Sequence, residues 1–259
     1  MTYEHIRLDL SPAAVATVTI ARPDRLNALS ARTLEELREA VEESARSGAR
    51  CLLLTGEGRG FSSGADLAGE GGLPEDAGAA LEEYYNPLVE AIFASPIPVV
   101  AAVNGPAAGA GCSLALAADI VIAARSAYFL QAFVNVGLIP DAGATWILPR
   151  LVGRARAMEM MLLGERVPAE KALEWGLISR VVEDEALESE AVALATKLAQ
   201  GPTVALGLIR KLAREAGDIP LSQALVAERV AQREAGETQD FRGAVMAFLQ
   251  KQTPRFEGR

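Results

Sequence analysis

The stretch from Ile97 to Ala124, IPVVAAVNGPAAGAGCSLALAADIVIAA, leaves a folded chain few choices. Pro98 to Val103 is apolar, with prolines at its start and Asn104-Gly105-Pro106 at its end, and so predicts a short buried strand. A turn of small residues follows, Ala107 to Gly111, and then an apolar helix from about Cys112 to Ala118. Asp119 closes that helix, and Ile120 to Ala123 opens a second buried strand. A strand that runs through small residues into a helix start leaves backbone N–H groups unpaired. With only methyl groups or hydrogens in the way, a ligand oxygen can approach those groups closely, which is the geometry of an oxyanion site. The same small turn also fits tight helix–strand packing with no ligand at all. A membrane-spanning reading fails, because Asn104, Pro106 and the glycines interrupt the run and alanine outnumbers leucine.

A second stretch favours the oxyanion reading. Cys51 to Thr55, CLLLT, is another apolar strand, and it leads into Gly56-Glu57-Gly58-Arg59-Gly60-Phe61-Ser62-Ser63-Gly64-Ala65-Asp66-Leu67. Ser63-Gly64-Ala65 offers a second free N–H, and two donors from separate loops can pinch one oxygen. GRGFSSGADL together with AAVNGPAAGAGCSLALAADIVIA resembles the enoyl-CoA hydratase/isomerase (crotonase) superfamily. The resemblance runs from Ile20-Ala21-Arg22-Pro23 through Asn27-Ala28-Leu29 to Phe248-Leu249-Gln250-Lys251. Several motifs in the right order make it far more specific than a lone glycine-rich loop. It implies an α/β, crotonase-like spiral of ββα turns. Residues 1–200 would be the core with an acyl-CoA site, and 201–259 a helical region that builds a trimer or a dimer of trimers.

The rest of the chain is compatible with this. At 259 residues and 50% hydrophobic it can bury a large core. A net charge of −9 argues against nucleic acid or an anionic membrane as the main partner. Cys51 and Cys112 sit in apolar contexts without metal-ligand spacing, as buried thiols of a reducing cytosol would. The start, MTYEHIRLDL, has neither a basic nor an apolar signal region, so a cytoplasmic location is expected. His5 is the only histidine, which disfavours histidine triads and polyhistidine metal sites. Tyr3 to Asp9 and Val15 to Ile20 read as paired strands, and Thr33 to Arg46 as an amphipathic helix with Leu34, Leu37, Val41 and Ala45 inward. Arg22 and Arg25 are either solvated loop charges or phosphate partners. Gly69 to Gly78 reads as a loop that moves or closes over a pocket. The helix from Ala79 to Ala94 should kink at Pro87.

Within the resemblance, the backbone N–H groups of Ser63 and Ala110 correspond to the pair that holds a thioester oxygen. Arg25, Leu26, Ala65, Asp66, Leu67 and Gly109 would border the substrate and its CoA. Tyr85 and Phe133 would line the acyl pocket, and Phe248 and Lys251 would reach the CoA of the same or an adjacent subunit. No metal and no cofactor beyond the CoA carried by the substrate is implied. Hydratases of the superfamily carry two glutamates, where this chain has Ser113 and Phe133, and neither residue can activate water. A third acid position, in the IPxxG segment, is occupied by Asp141. Capping of a helix from Ala142 to Leu151 is the plainer role for that aspartate. As an acid/base its pKa would be raised by burial among Leu138, Ile139, Ala142 and Trp146. Asn86-Pro87-Leu88-Val89, GPAAGAG, DIVIAARSA, GLIPDAGATWILPR with GRARAM, and Glu174-Trp175-Gly176 narrow the resemblance. They point to the ring-1,2-epoxyphenylacetyl-CoA isomerases of bacterial phenylacetate degradation. An isomerase forming oxepin-CoA and shifting double bonds is therefore the expectation. A hydratase or Δ3,Δ2-enoyl-CoA isomerase of fatty-acid oxidation, or a non-catalytic acyl-CoA binder, is the alternative.

Overall fold

The computed structural model describes residues 3–67 and 76–259. Strands β1 (Ile6–Leu10) and β2 (Val15–Ile20) pair antiparallel, with Ile6 opposite Ile20. Helix α1 (Ala31–Arg46) starts two residues earlier than its apolar periodicity suggests, because Ser30 caps it by accepting the Thr33 N–H. Its inward face buries Leu34, Leu37 and Val41, while Ala45 is only partly covered. Strand β3 (Cys51–Gly56) follows. Most of the expected mobile loop, Gly69 to Gly78, lies outside the described residues. Helix α2 (Ala77–Ala80) runs into a π-helical turn, Leu81–Tyr85, and then into α3 (Asn86–Ala94). The expected kink takes this form. The Asn86 N–H reaches back to the Leu81 carbonyl, and Pro87, with no N–H to give, sits in the first turn of α3.

The central stretch folds as β4 (Val99–Val103), β5 (Pro106–Ala108), α4 (Ala110–Leu116) and β6 (Ile120–Ala124). Next come β7 (Tyr128–Leu130) and a 3-10 segment, Ala132–Val136. Helix α5 (Ala144–Leu163) is broken at Gly153, whose φ of 73° is not helical. Strand β8 (Arg166–Pro168), helix α6 (Ala169–Glu174) and strand β9 (Arg180–Val182) complete the sheets. Four helices close the chain: α7 (Leu187–Ala199), α8 (Thr203–Glu215), α9 (Leu221–Gly236) and α10 (Gln239–Leu249).

The larger sheet has the order β1-β2-β3-β4-β6-β9, parallel from β2 onward. Every residue of β4 is buried, which explains why the strand reads as an unbroken apolar run rather than an alternating one. The smaller sheet, β5-β7-β8, grows from the turns after β4 and β6. It is stitched to the loop after β3, since Phe61 and Ser62 donate to the Pro106 carbonyl and Ala108 donates to Ser62.

At the starting end of the parallel strands, polar groups are closely matched. The Asp119 carboxylate accepts from the Val99 N–H and pairs with Arg210 and Arg214, each at 2.8 Å. Arg210, with a side chain 6% exposed, also donates to the carbonyls of Ile92 and Ser95. Arg50, just before β3, donates to Thr203, Gly201 and Phe256. The last residues are held too, as Asp240 accepts from the N–H groups of Glu257 and Gly258. Among the described residues no single helix is long and apolar enough to cross a membrane.

Candidate active site

At the finishing end of β3 and β4 the two glycine-rich loops meet. Gly64 has φ +89°, and a methyl group added there would stand 2.8 Å from the Ala108 carbonyl oxygen and 3.4 Å from the Ala110 nitrogen. Only glycine allows that approach. Gly109, at φ 52°, turns the chain from β5 into α4, so that the Ala110 N–H opens the helix. The amides of Ala65 and Ala110 have no acceptor among the described residues. Two unpaired donors, one from each loop, therefore face the space between them.

The sequence assigned the first of these donors to Ser63, and the structure moves it to Ala65. The Ser63 N–H donates to the Leu26 carbonyl at 3.0 Å and is not free. Asp66, expected to border the substrate, is a strut instead. Its N–H donates to Leu29 at 3.1 Å, and its carboxylate, 5% exposed, pairs with Arg22 at 2.8 Å. Arg22 also donates to the Ala28 carbonyl, so it fastens the donor loop and is not available to a phosphate. The sequence reading missed Asn27. Fully buried, it donates to Glu57 and Gly60 and accepts the Arg22 N–H, which holds the 22–29 loop against the donor loop. Its αL backbone, at φ 56°, is a conformation asparagine tolerates better than most residues.

Asp141 is not a helix cap. Helix α5 begins at Ala144, its N-cap is the left-handed Gly143, and no side chain caps it. The carboxylate's Oδ1 is buried without a partner, and burial pushes the Asp141 pKa up to about 6. The direction is the expected one, but the cover is different. Of the four neighbours named from sequence only Ala142 is buried; Leu138, Ile139 and Trp146 are exposed. Helix α3 packs against the same segment two residues on, where Val89 reaches to within 3.5 Å of a methyl placed at Gly143. The Tyr85 phenol has its pKa raised, first by burial and then by the carboxylates of Asp141 and Asp66.

The sequence profile of the family described as "Enoyl-CoA hydratase/isomerase" matches residues 11–259. The chain belongs to that family. It is 49% identical to "1,2-epoxyphenylacetyl-CoA isomerase" of Escherichia coli (strain K12), over 95% of each chain. It is 47% identical to "Probable enoyl-CoA hydratase" of Rhodobacter capsulatus, over 100% of each. Among solved structures, a putative enoyl-CoA hydratase from Streptomyces coelicolor A3(2) superposes with a TM-score of 0.94 at 38% identity. That match covers 100% of this chain and 96% of the other. The enoyl-CoA hydratase of Bacillus anthracis gives a TM-score of 0.94 at 33% identity, over 99% of this chain and 100% of that one. The crotonase fold expected from the sequence is thereby established.

Within this enoyl-CoA hydratase/isomerase chain, Ser113 is buried in α4 and its hydroxyl donates to the Gly109 carbonyl at 3.4 Å. Phe133 sits beside the donor turn, its Cζ 4.0 Å from a methyl placed at Gly109. Arg25 and Leu67 are exposed next to the donor loop, and Leu26 lends that loop its carbonyl. Phe248, 80% exposed, and Lys251 stand on and just past α10, which packs on α9. No contact within the chain brings either of them to the two donors among the described residues.

Proposed function

We propose that this enzyme acts on CoA thioesters as an isomerase, converting ring-1,2-epoxyphenylacetyl-CoA to oxepin-CoA and shifting double bonds in enoyl-CoA esters. The observation that carries this reading is the buried Asp141 carboxylate oxygen without a partner, in a chain with two free amides among the described residues and no glutamate at positions 113 and 133. The Ala65 and Ala110 N–H groups hold the thioester oxygen, where negative charge develops as the neighbouring carbon loses a proton. Such preset donors contribute on the order of 3–4 kcal/mol each. Asp141 takes that proton and returns it elsewhere on the acyl group, so no atom is gained or lost. A pKa raised to about 6 keeps it ionised at neutral pH yet basic enough to work. Phe133 presents a hydrocarbon wall to the acyl ring, and Arg25 is the cation available to the CoA phosphates. Similarity to the epoxyphenylacetyl-CoA isomerase supports the substrate.

Hydration is the second reading, favoured by the similar relative described as a probable hydratase. Ser113 and Phe133 weigh against it. A panel of CoA thioesters followed by mass and ultraviolet absorbance separates the two. Unchanged mass with a shifted spectrum is expected, and crotonyl-CoA should stay essentially unhydrated. Efficient gain of one water would overturn the site assignment, and inertness toward every thioester would leave a binding protein. We also propose a cytoplasmic homo-oligomer built on trimers, in which Phe248 and Lys251 approach a CoA. Phe241, Val245, Phe248 and Leu249 form an exposed apolar face on α10, which supports this assembly. A light-scattering mass equal to one 27.3 kDa chain would refute it.

A further inference from the structure

Helix α3 lies along the Asp141 segment in a regular ladder. Val89 stands over Gly143, and Phe93, one turn on, meets Trp146 edge to face with ring centroids 5.6 Å apart. One turn back from Val89 on the same face is Tyr85, which continues the ladder to Asp141. The π turn ends on this residue. The influence of both Asp141 and Asp66 on the phenol agrees with a place between the acid and the Ala65 loop. Tyr85 is half-buried, and its hydroxyl has no hydrogen-bond partner among the described residues. Its oxygen is not among the sealed, unpartnered atoms. Tyrosine hydroxyls in such surroundings usually find a partner, and here the described residues supply none.

We propose that Tyr85 sets the acyl preference of the site, its hydroxyl donating a hydrogen bond to an oxygen borne on the acyl group, such as a hydroxyl, an ether or an epoxide. This deepens the reading of the cleft as an acyl-CoA site with Asp141 as its acid/base and rests on it. The division of labour is then complete. The Ala65 and Ala110 amides take the thioester oxygen, Asp141 handles the proton on carbon, and Tyr85 meets the remaining oxygen. Burial and two nearby carboxylates disfavour the phenolate, so the group is a donor throughout the physiological range. A hydrocarbon acyl chain leaves that donor unpaired and loses affinity for it.

Calorimetric binding of phenylacetyl-CoA and 2-hydroxyphenylacetyl-CoA tests this without any turnover. The parent should bind the hydroxylated thioester about 5- to 10-fold more tightly, the worth of one hydrogen bond. Tyr85→Phe should abolish the preference by weakening that thioester alone. Tyr84→Phe, which removes the hydroxyl of the neighbouring tyrosine instead, should keep it. No preference in the parent overturns the proposal, and that result needs no variant to fold. A preference that survives in Tyr85→Phe overturns it as well. Failure of the parent to bind either thioester sinks the acyl-CoA reading itself, and the proposal with it.

Discussion

The two ends of the parallel sheet are built on opposite rules. Where β3, β4 and β6 begin, Arg50, Asp119, Arg210 and Arg214 satisfy one another and the nearby carbonyls. Where β3 and β4 lead out, the Ala65 and Ala110 amides and one Asp141 oxygen are without partners among the described residues. The same chain can pair its polar groups well, so the unpaired set is not poor packing. Polar groups withheld from protein partners cost stability and are ready for a ligand. The matched end fastens the molecule, and the unmatched end is where the proposed chemistry is placed.

The comparison breaks most sharply at Asp141. Asp141→Asn keeps the size, and no helix cap is lost with it, so the variant should fold and bind acyl-CoA. Its turnover should fall roughly 100-fold or more. The parent's kcat should decline as the pH drops through about 6, where the carboxylate gains its proton. A folded-state pKa above the unfolded one means that the ionised carboxylate costs stability above about 6. Asp141→Asn should then melt no lower than the parent at pH 7. An isomerase rate near the parental value would sink the mechanism.

Gly64→Ala tests the donors rather than the acid. The new methyl would collide with the Ala108 carbonyl at 2.8 Å in a left-handed backbone, shifting one amide relative to the other. Turnover should drop on the order of 10- to 100-fold, less than full loss of a donor. Unchanged kcat would mean that the two amides do not act together. Arg210→Met tests the fastening end and should have the smallest effect on chemistry. Removing the guanidinium takes one of two arginines from Asp119 and the donor from two carbonyls, lowering unfolding stability by about 2–4 kcal/mol in denaturant titrations. Activity per folded molecule should stay at the parental level, and a large loss there would erase the distinction between the ends.

Much of this was legible in the sequence, for local reasons. The runs CLLLT and PVVAAV are strands because apolar residues between glycine and proline punctuation have few other options. The absence of a carboxylate at Ser113 and Phe133 and its presence at Asp141 are read directly from the residue types. What was not legible depends on distant partners. Which amide of Ser63-Gly64-Ala65 stays free is decided by the Leu26 carbonyl, which lies in another loop. Arg22 looks like a phosphate ligand until Asp66 claims it. The cap reading of Asp141 failed because the next two residues take left-handed backbones, with Ala142 at φ 49° and Gly143 at φ 83°. That delays the helix beyond reach of the carboxylate.

The matched end also orders events in time. Asp119 is synthesised 91 residues before Arg210, and Arg50 precedes the Phe256 carbonyl it binds by 206. A nascent chain that has just completed β6 therefore carries a carboxylate with no counter-ion and a guanidinium short of acceptors. Neither can be satisfied until α8 and the final residues leave the ribosome. Contacts of this span tie the first strands of the sheet to helices made much later in the same chain.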